Sequence, residues 1–213
     1  MISSKVRLTK LAVACLLCGL FATQFLSAKV IADYGADFNL KGPKLGWAYR
    51  WNPENVDILQ QDKFKDLEVV KNFYSVDADN PPSRKKIKDA PHPDGRWLTA
   101  KRNSISCGYG SVESQDKLNH FVILSYTVQP GEAGTGRIIN SEILRNNETG
   151  SHEIRISVND RVIGTDILKG MEKQAFNVEL GKLEVGDTVY LALGPNGDRS
   201  GTVKVAYQID TGQ

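Results

Sequence analysis

Cysteine is scarce in this sequence, with three residues among 213, and neither sign of charge is in excess, since 27 Lys and Arg face 25 Asp and Glu. So few cysteines exclude a small domain held together by many disulfides. The balanced charge and a hydrophobic content of 40% exclude a disordered chain, and no basic excess points to a nucleic-acid partner. The 19 glycines lack a period of three, which excludes a collagen-like chain.

The first 28 residues have the pattern of a secretory signal peptide. A basic start with Lys5, Arg7 and Lys10 is followed by a mostly apolar stretch at 11–26 and then by Ala28. This order is typical of an export signal, and the stretch is short for a membrane span of about 20 residues. We therefore predict cleavage after Ala28 and an exported protein that is periplasmic, cell-surface or extracellular and has no membrane span.

Two alternatives are a retained signal anchor and a lipid-modified Cys15 or Cys18. Cleavage would remove three positive charges and both of these cysteines, which leaves 24 basic residues, 25 acidic residues and a net charge of −1. The remaining Cys107 forms neither an internal disulfide nor a cysteine-based metal site. No base or cation adjoins it in sequence to lower its pKa, so we interpret it as a buried or incidental thiol.

The second half of the sequence alternates apolar and polar residues with the period of two that predicts β-strands. Such segments, separated by turn residues, lie at 121–128, 154–158, 176–180, 189–193 and 203–209. Asn159 and Asp160 separate two of the predicted strands as a two-residue hairpin loop. Residues 137–144 alternate less cleanly, with Ile139, Ser141 and Ile143 on one side.

Each of these segments has one apolar face, and no segment shows a helical stripe or a βαβ order. Two antiparallel sheets packed face to face bury such faces economically. We therefore predict an all-β sandwich, jelly-roll-like, formed by a single domain at 29–213, with a helical turn at most in 55–70. A long polar loop at about 75–104 contains a Lys-rich run at 84–88 whose role the sequence leaves open.

No catalytic or metal-binding constellation stands out. His92, His120 and His152 lack metal-ligand spacing, and the sequence contains neither a nucleophile elbow nor a phosphate-binding loop. We predict a non-enzymatic protein without a cofactor, while glycosidase carboxylates, which pair in space, stay an open alternative. Asp187 and Asp198 are weak metal candidates whose positions favour ordinary turn chemistry.

Aromatic residues near the start of the predicted domain are the candidates for ligand binding. Trp47, Tyr49 and Trp51 alternate, so a strand would point all three toward one face. Such a face is suited to stacking against the C–H groups of sugar rings. The alternative is that this face belongs to the core. Trp97 stands alone near the end of the polar loop, either as a ligand contact or as a plug over one end of the core.

Short motifs along most of residues 32–210 resemble those of one family of proteins. They are Ala32-Asp33-Tyr34, Asp37-Phe38, Gly42-Pro43, Gly46-Trp47-Ala48-Tyr49, His92-Pro93 with Gly95, the run at 121–128 with Pro130-Gly131, Val158-Asn159-Asp160, Leu183-Glu184-Val185-Gly186-Asp187 and Gly194-Pro195-Asn196-Gly197-Asp198. The chain resembles exported, planctomycete-like bacterial β-sandwich proteins that are similar to non-catalytic carbohydrate-binding modules. The resemblance implies a β-sandwich with a polysaccharide or cell-surface role and supplies no catalytic residues. The Lys-rich loop and an insertion at 131–136 depart from the family pattern.

We predict an exported, non-catalytic module that binds a carbohydrate or a cell-surface polymer. Its candidate ligand-binding residues are Trp47, Tyr49, Trp51 and Trp97, and its partner is a polysaccharide or an envelope component. The alternative is a structural or interaction protein of the cell envelope. In that case the same aromatics are core, and an exposed strand edge pairs with a partner.

Overall fold

A computed structural model describes residues 28–53, 56–76, 98–107, 120–146, 151–196 and 201–212. The strands of the first half are β1 (Lys29–Asp33), β2 (Trp47–Trp51), β3 (Lys65–Asp66), β4 (Glu68–Val70), β5 (Phe73–Ser75), β6 (Thr99–Lys101) and β7 (Ser104–Ser106). Those of the second half are β8 (Val122–Thr127), β9 (Gly134–Arg145), β10 (His152–Val158), β11 (Arg161–Leu168), β12 (Val178–Leu183), β13 (Thr188–Pro195) and β14 (Thr202–Gly212). A helical turn, α1 (Tyr34–Asp37), follows β1, and a 3-10 turn at Gln61–Lys63 precedes β3.

These strands form two antiparallel sheets. The six-stranded sheet has the order β11-β10-β13-β8-β2-β3. The eight-stranded sheet has the order β12-β9-β14-β7-β6-β5-β4, and β1 also pairs with β14. Strand β9 pairs with one edge of β14. Strands β1 and β7 pair with different parts of its other edge.

Eight strands have the connectivity of a jelly roll. β1, β14, β9 and β12 are neighbours in the eight-stranded sheet, while β8, β13, β10 and β11 are neighbours in the six-stranded sheet. From β8 onward the chain changes sheets at every connection except the β10–β11 hairpin, as in a double Greek key. This confirms the predicted all-β, jelly-roll-like sandwich. Strands β2 to β7 are inserted between the first two jelly-roll strands and extend both sheets.

The core lies between the sheets and is built from the predicted alternation. The inward side chains of β10, β13 and β14 are all buried: Ile154, Ile156, Val158, Val189, Leu191, Leu193, Val203, Val205, Tyr207 and Ile209. The predicted hairpin loop is also confirmed, because Val158 pairs with Arg161 across Asn159 and Asp160. Asn159 has a φ of 51°, a left-handed conformation that asparagine adopts more readily than most residues.

Strand β9 differs from the prediction that placed Ile139, Ser141 and Ile143 on one side. Ile138, Ser141 and Ile143 are buried, whereas Ile139 is only half-buried. Asn140 has a φ of 48°, and the pairing of β9 with β14 shifts register beside it. An irregularity of this kind adds a residue to one strand and moves the alternation to the other face.

Both ends of the predicted polar loop at 75–104 belong to strands in the structure. Ser75 ends β5, and strands β6 and β7 carry Ala100 and Ile105 into the core. Strands of three residues offer too little alternation for a sequence pattern to reveal them. The Lys-rich run at 84–88 lies outside the described residues.

The predicted signal peptide also falls almost wholly outside the described residues, which begin at residue 28. Among the residues described, no helix has the length and apolar character needed to cross a membrane. The described residues therefore do not test the export signal, which stays a prediction.

Candidate functional site

The three aromatic side chains of β2 lie in the core. Trp47, Tyr49 and Trp51 point to the same face, as predicted, and are exposed by only 5%, 2% and 8%. A side chain this deeply buried offers no free ring face on which a sugar could stack. The structure therefore places these three residues in the core, which was the alternative interpretation, and not on an exposed binding face. Trp97 lies outside the described residues.

Packing among aromatic rings accounts for this position. The ring centroid of Trp47 lies 5.9 Å from that of Tyr34, 5.4 Å from that of Tyr126 and 6.0 Å from that of Tyr207. These separations are within the range of favourable aromatic pairs. The indole N–H of Trp47 donates to Asp37 Oδ2 at 3.1 Å, so its polar atom is satisfied inside the protein.

The other predicted candidates have structural environments where they are described. The carboxylate of Asp187 accepts hydrogen bonds from the backbone N–H of Glu184 at 2.8 Å and from Asn159 Nδ2 at 2.9 Å. These bonds lower the pKa of Asp187 and mark it as a turn residue. Asp198 lies outside the described residues, among which no three His, Cys, Asp or Glu gather as metal ligands. Cys107 is buried, and burial raises the pKa of its thiol.

A shallow groove lies on the outer face of the six-stranded sheet, and it encloses only about 20 Å³. We call it the outer groove. Side chains from β10, β11, β13 and the segment before β3 line it, among them Leu59, Phe64, Arg155, Ser157, Val162 and Tyr190. Arg155, Ser157 and Tyr190 alternate with core residues along their strands and therefore point outward.

One wall of the outer groove is the segment at 56–64, which covers part of the sheet. Ile58 packs there in a small apolar cluster with Phe121, Ile123 and Ala192, separate from the main core. Phe64 meets Tyr190 edge to face, with ring centroids 6.1 Å apart. Both rings are half-buried, so each keeps part of its surface open to the groove.

Asn52 fastens this wall to the sheet. Its Oδ1 accepts the backbone N–H of Phe121 at 2.6 Å, and its Nδ2 donates to the backbone carbonyl of Val56 at 2.9 Å. The side chain is buried, so both bonds are shielded from water. One amide therefore joins the start of the wall to the start of β8.

Replacing Asn52 with alanine is expected to lower the free energy of unfolding by about 2 kcal/mol. The change leaves a buried backbone N–H of Phe121 without its acceptor, which costs roughly 1–3 kcal/mol. Urea denaturation of both proteins measures the difference. Asn72→Ala is the control, because Asn72 is exposed and such surface changes stay within about 0.5 kcal/mol. Equal effects of the two substitutions would contradict this role for Asn52.

The side chain of one histidine, His152, is buried within the core. His152 is fully buried, and its Nε2 accepts the backbone N–H of Gly201 at 3.0 Å. Nε2 also lies 3.3 Å from the backbone carbonyl oxygen of Gly201, and Nδ1 has no hydrogen-bond partner in the described part of the chain. Burial lowers the pKa of His152 to about 4, and the charge of nearby Arg145 acts in the same direction.

The residues of the outer groove are not among the binding candidates predicted from the sequence. Tyr190 carried a signal, because it is an aromatic residue at a solvent-facing position between Val189 and Leu191. Arg155 lies on the polar face of the strand predicted at 154–158. Phe64 lies in a segment without periodicity, so nothing in the sequence linked it to either residue.

The chain matches no family model and no curated protein. Among solved structures, it is similar to the dimeric latent PorU of Porphyromonas gingivalis, with 16% identity and a TM-score of 0.27, over 49% of this chain and 11% of that chain. It is also similar to the isomalto-dextranase of Arthrobacter globiformis T6 complexed with panose, with 12% identity and a TM-score of 0.32, over 79% of this chain and 24% of that one. Likeness at these scores carries no conclusion about function.

Proposed function

We propose that this protein is an exported, non-catalytic module that binds a carbohydrate chain in the outer groove. The observation that carries the proposal is the pair of half-exposed rings, Phe64 and Tyr190, beside the polar groups of Arg155 and Ser157. Aromatic faces stack on the C–H faces of sugars, and nearby polar groups bond the hydroxyls. The proposal keeps the predicted ligand class and moves the site from β2 to the outer face of the sheet.

The size of the groove favours one part of a polymer over an enclosed small ligand. Its enclosed space of about 20 Å³ is far below the roughly 300–1,000 Å³ typical of small-molecule pockets, so a sugar would lie over the groove and not inside it. The groove lies on the outer face of a sheet, where a chain can enter on one side and leave on the other. A ligand bound this way would present one or two sugar rings to the protein.

Alanine substitution of Phe64 or Tyr190 is expected to weaken binding to the polysaccharide about tenfold, because each removes an aromatic contact of roughly 0.5–1.5 kcal/mol together with its buried area. A glycan array of plant, algal and bacterial polysaccharides identifies the ligand, and titration calorimetry measures the change. Leu45→Ala is the control, since Leu45 is 77% exposed and does not line the groove.

Two results would overturn the proposal. One is the absence of binding across the whole array by the folded protein. The other is a loss of binding in the Leu45→Ala control as large as that in the groove variants, which would place the ligand elsewhere. Far-UV circular dichroism of every variant separates lost binding from lost folding.

A second candidate function is that of an interaction protein that pairs through a strand edge. Among the described residues, β11 pairs only with β10, and it is eight residues long. Val162 and Ile167 on this strand are 50% and 40% exposed. An edge of this kind can add a strand from another chain. A protein that binds no glycan but retains a partner at β11 would favour this function over the first.

A further inference from the structure

We propose that the outer groove selects an acidic sugar, whose carboxylate is bound by the terminal amino groups of Arg155. This inference rests on the proposed function and names the class of carbohydrate. It is carried by the position of one guanidinium group among the residues that line the groove.

Two contacts hold the guanidinium of Arg155 in place. Its Nε donates to Glu153 Oε1, two residues earlier on the same face of β10. Its Cζ lies 5.3 Å from the ring centroid of Phe121, within the range of a cation–π contact. Both contacts restrict the rotation of a long side chain, so less entropy is lost when a ligand binds.

Neither contact uses the two terminal amino groups. Within the described part of the chain, no hydrogen bond is made by Nη1 or Nη2 of Arg155, while the side chain keeps 35% of its surface exposed. The neighbours of Arg155 in the sheet are Thr165 on β11 and Ala192 on β13. Both side chains are short, and that of Ala192 is buried in the apolar cluster with Ile58 and Phe121.

An anchored guanidinium with free terminal groups is suited to a carboxylate. Arginine only donates hydrogen bonds, and its planar fork matches the two oxygens of a carboxylate in a bidentate pair. Charge-assisted bonds of this type are about twice as strong as bonds between two neutral groups. Phe64 and Tyr190 would then contact the ring of the same uronic acid residue or of its neighbour in the chain.

Glu153 limits the contribution of simple charge attraction. It is paired with Arg155, so the pair as a whole is neutral, and its own side chain is only 16% exposed. We therefore expect recognition by geometry more than by net charge.

The test uses polygalacturonate and the same polymer after its carboxyl groups have been reduced to alcohols. The unmodified protein is expected to bind the acidic form about 10- to 100-fold more tightly, as measured by titration calorimetry. Arg155→Gln should bind both forms equally. Arg155→Lys keeps the charge without the fork and should retain only a small part of the preference.

The outcomes separate this inference from the proposed function. If the protein binds both polymers equally, or if Arg155→Gln keeps the preference, the acidic-sugar inference is overturned while glycan binding stands. If neither this pair of polymers nor any glycan on the array binds, the proposed function fails, and this inference fails with it.

Discussion

Replacing Trp47 with alanine is expected to lower the free energy of unfolding by about 4 kcal/mol, since loss of a buried tryptophan or phenylalanine typically costs 3–5 kcal/mol. Trp47 is 95% buried and touches three tyrosine rings from α1, β8 and β14. Removing the indole leaves a cavity between the two sheets and deprives Asp37 of a hydrogen-bond donor. Urea or thermal denaturation measures the loss.

Tyr49→Phe is the matched control in the same aromatic cluster. It keeps the ring and removes a buried hydroxyl that has no hydrogen-bond partner in the described structure, so stability should be unchanged or slightly increased. A ligand platform makes the opposite prediction for Trp47→Ala, namely little loss of stability and a large loss of glycan binding. That result would contradict the core position of Trp47.

The strands with strict alternation are the part of the fold that could be predicted from sequence. Along most of β10, β13 and β14, residues that face the core are apolar and residues that face outward are polar. Ala192 is an exception, because it is buried in the small cluster with Ile58. Where the backbone departs from regular geometry, this reasoning fails. The positive φ of Asn140 reverses the alternation of β9. The isoleucines of β9 give no indication of this change in the sequence.

The alternating aromatics of β2 show a second limit. Trp47, Tyr49 and Trp51 have the same pattern whether their shared face is exposed or buried. The choice depends on what lies opposite. Tyr34 packs against Trp47 and Tyr49, Tyr207 packs against Trp47, and these two tyrosines come from opposite ends of the domain. Only the pairing of β1 with β14 brings these two tyrosines together.

The outer groove could not be predicted for a related reason. Phe64, Arg155 and Tyr190 are neighbours because β10 pairs with β13 and because the segment at 56–64 folds over that sheet. One of the two hydrogen bonds by which the Asn52 side chain holds the segment joins residues 69 positions apart. The spacing of residues in the sequence does not predict such contacts, whereas it does predict the alternation within one strand.

Acidification from pH 7 to pH 4 is expected to destabilise the protein by about 3 kcal/mol through His152 alone. In the unfolded chain this histidine titrates near pH 6.5, whereas burial lowers its pKa in the folded protein to about 4. Between these values the unfolded state binds a proton that the folded state does not, so stability falls as the pH falls. The difference of about 2.5 pH units corresponds to about 3 kcal/mol.

The measurement is the free energy of unfolding in urea at pH 7.0, 5.5 and 4.0, for the unmodified protein and for His152→Gln. Glutamine can accept the N–H of Gly201 but does not titrate, so the variant should lose less stability on acidification. Carboxylates elsewhere titrate in both proteins, and subtracting one profile from the other removes their contribution. Parallel profiles would contradict a neutral, buried His152. A ring that titrates near pH 6.5 by NMR would do the same, because it would show that the folded protein protonates this side chain at no cost.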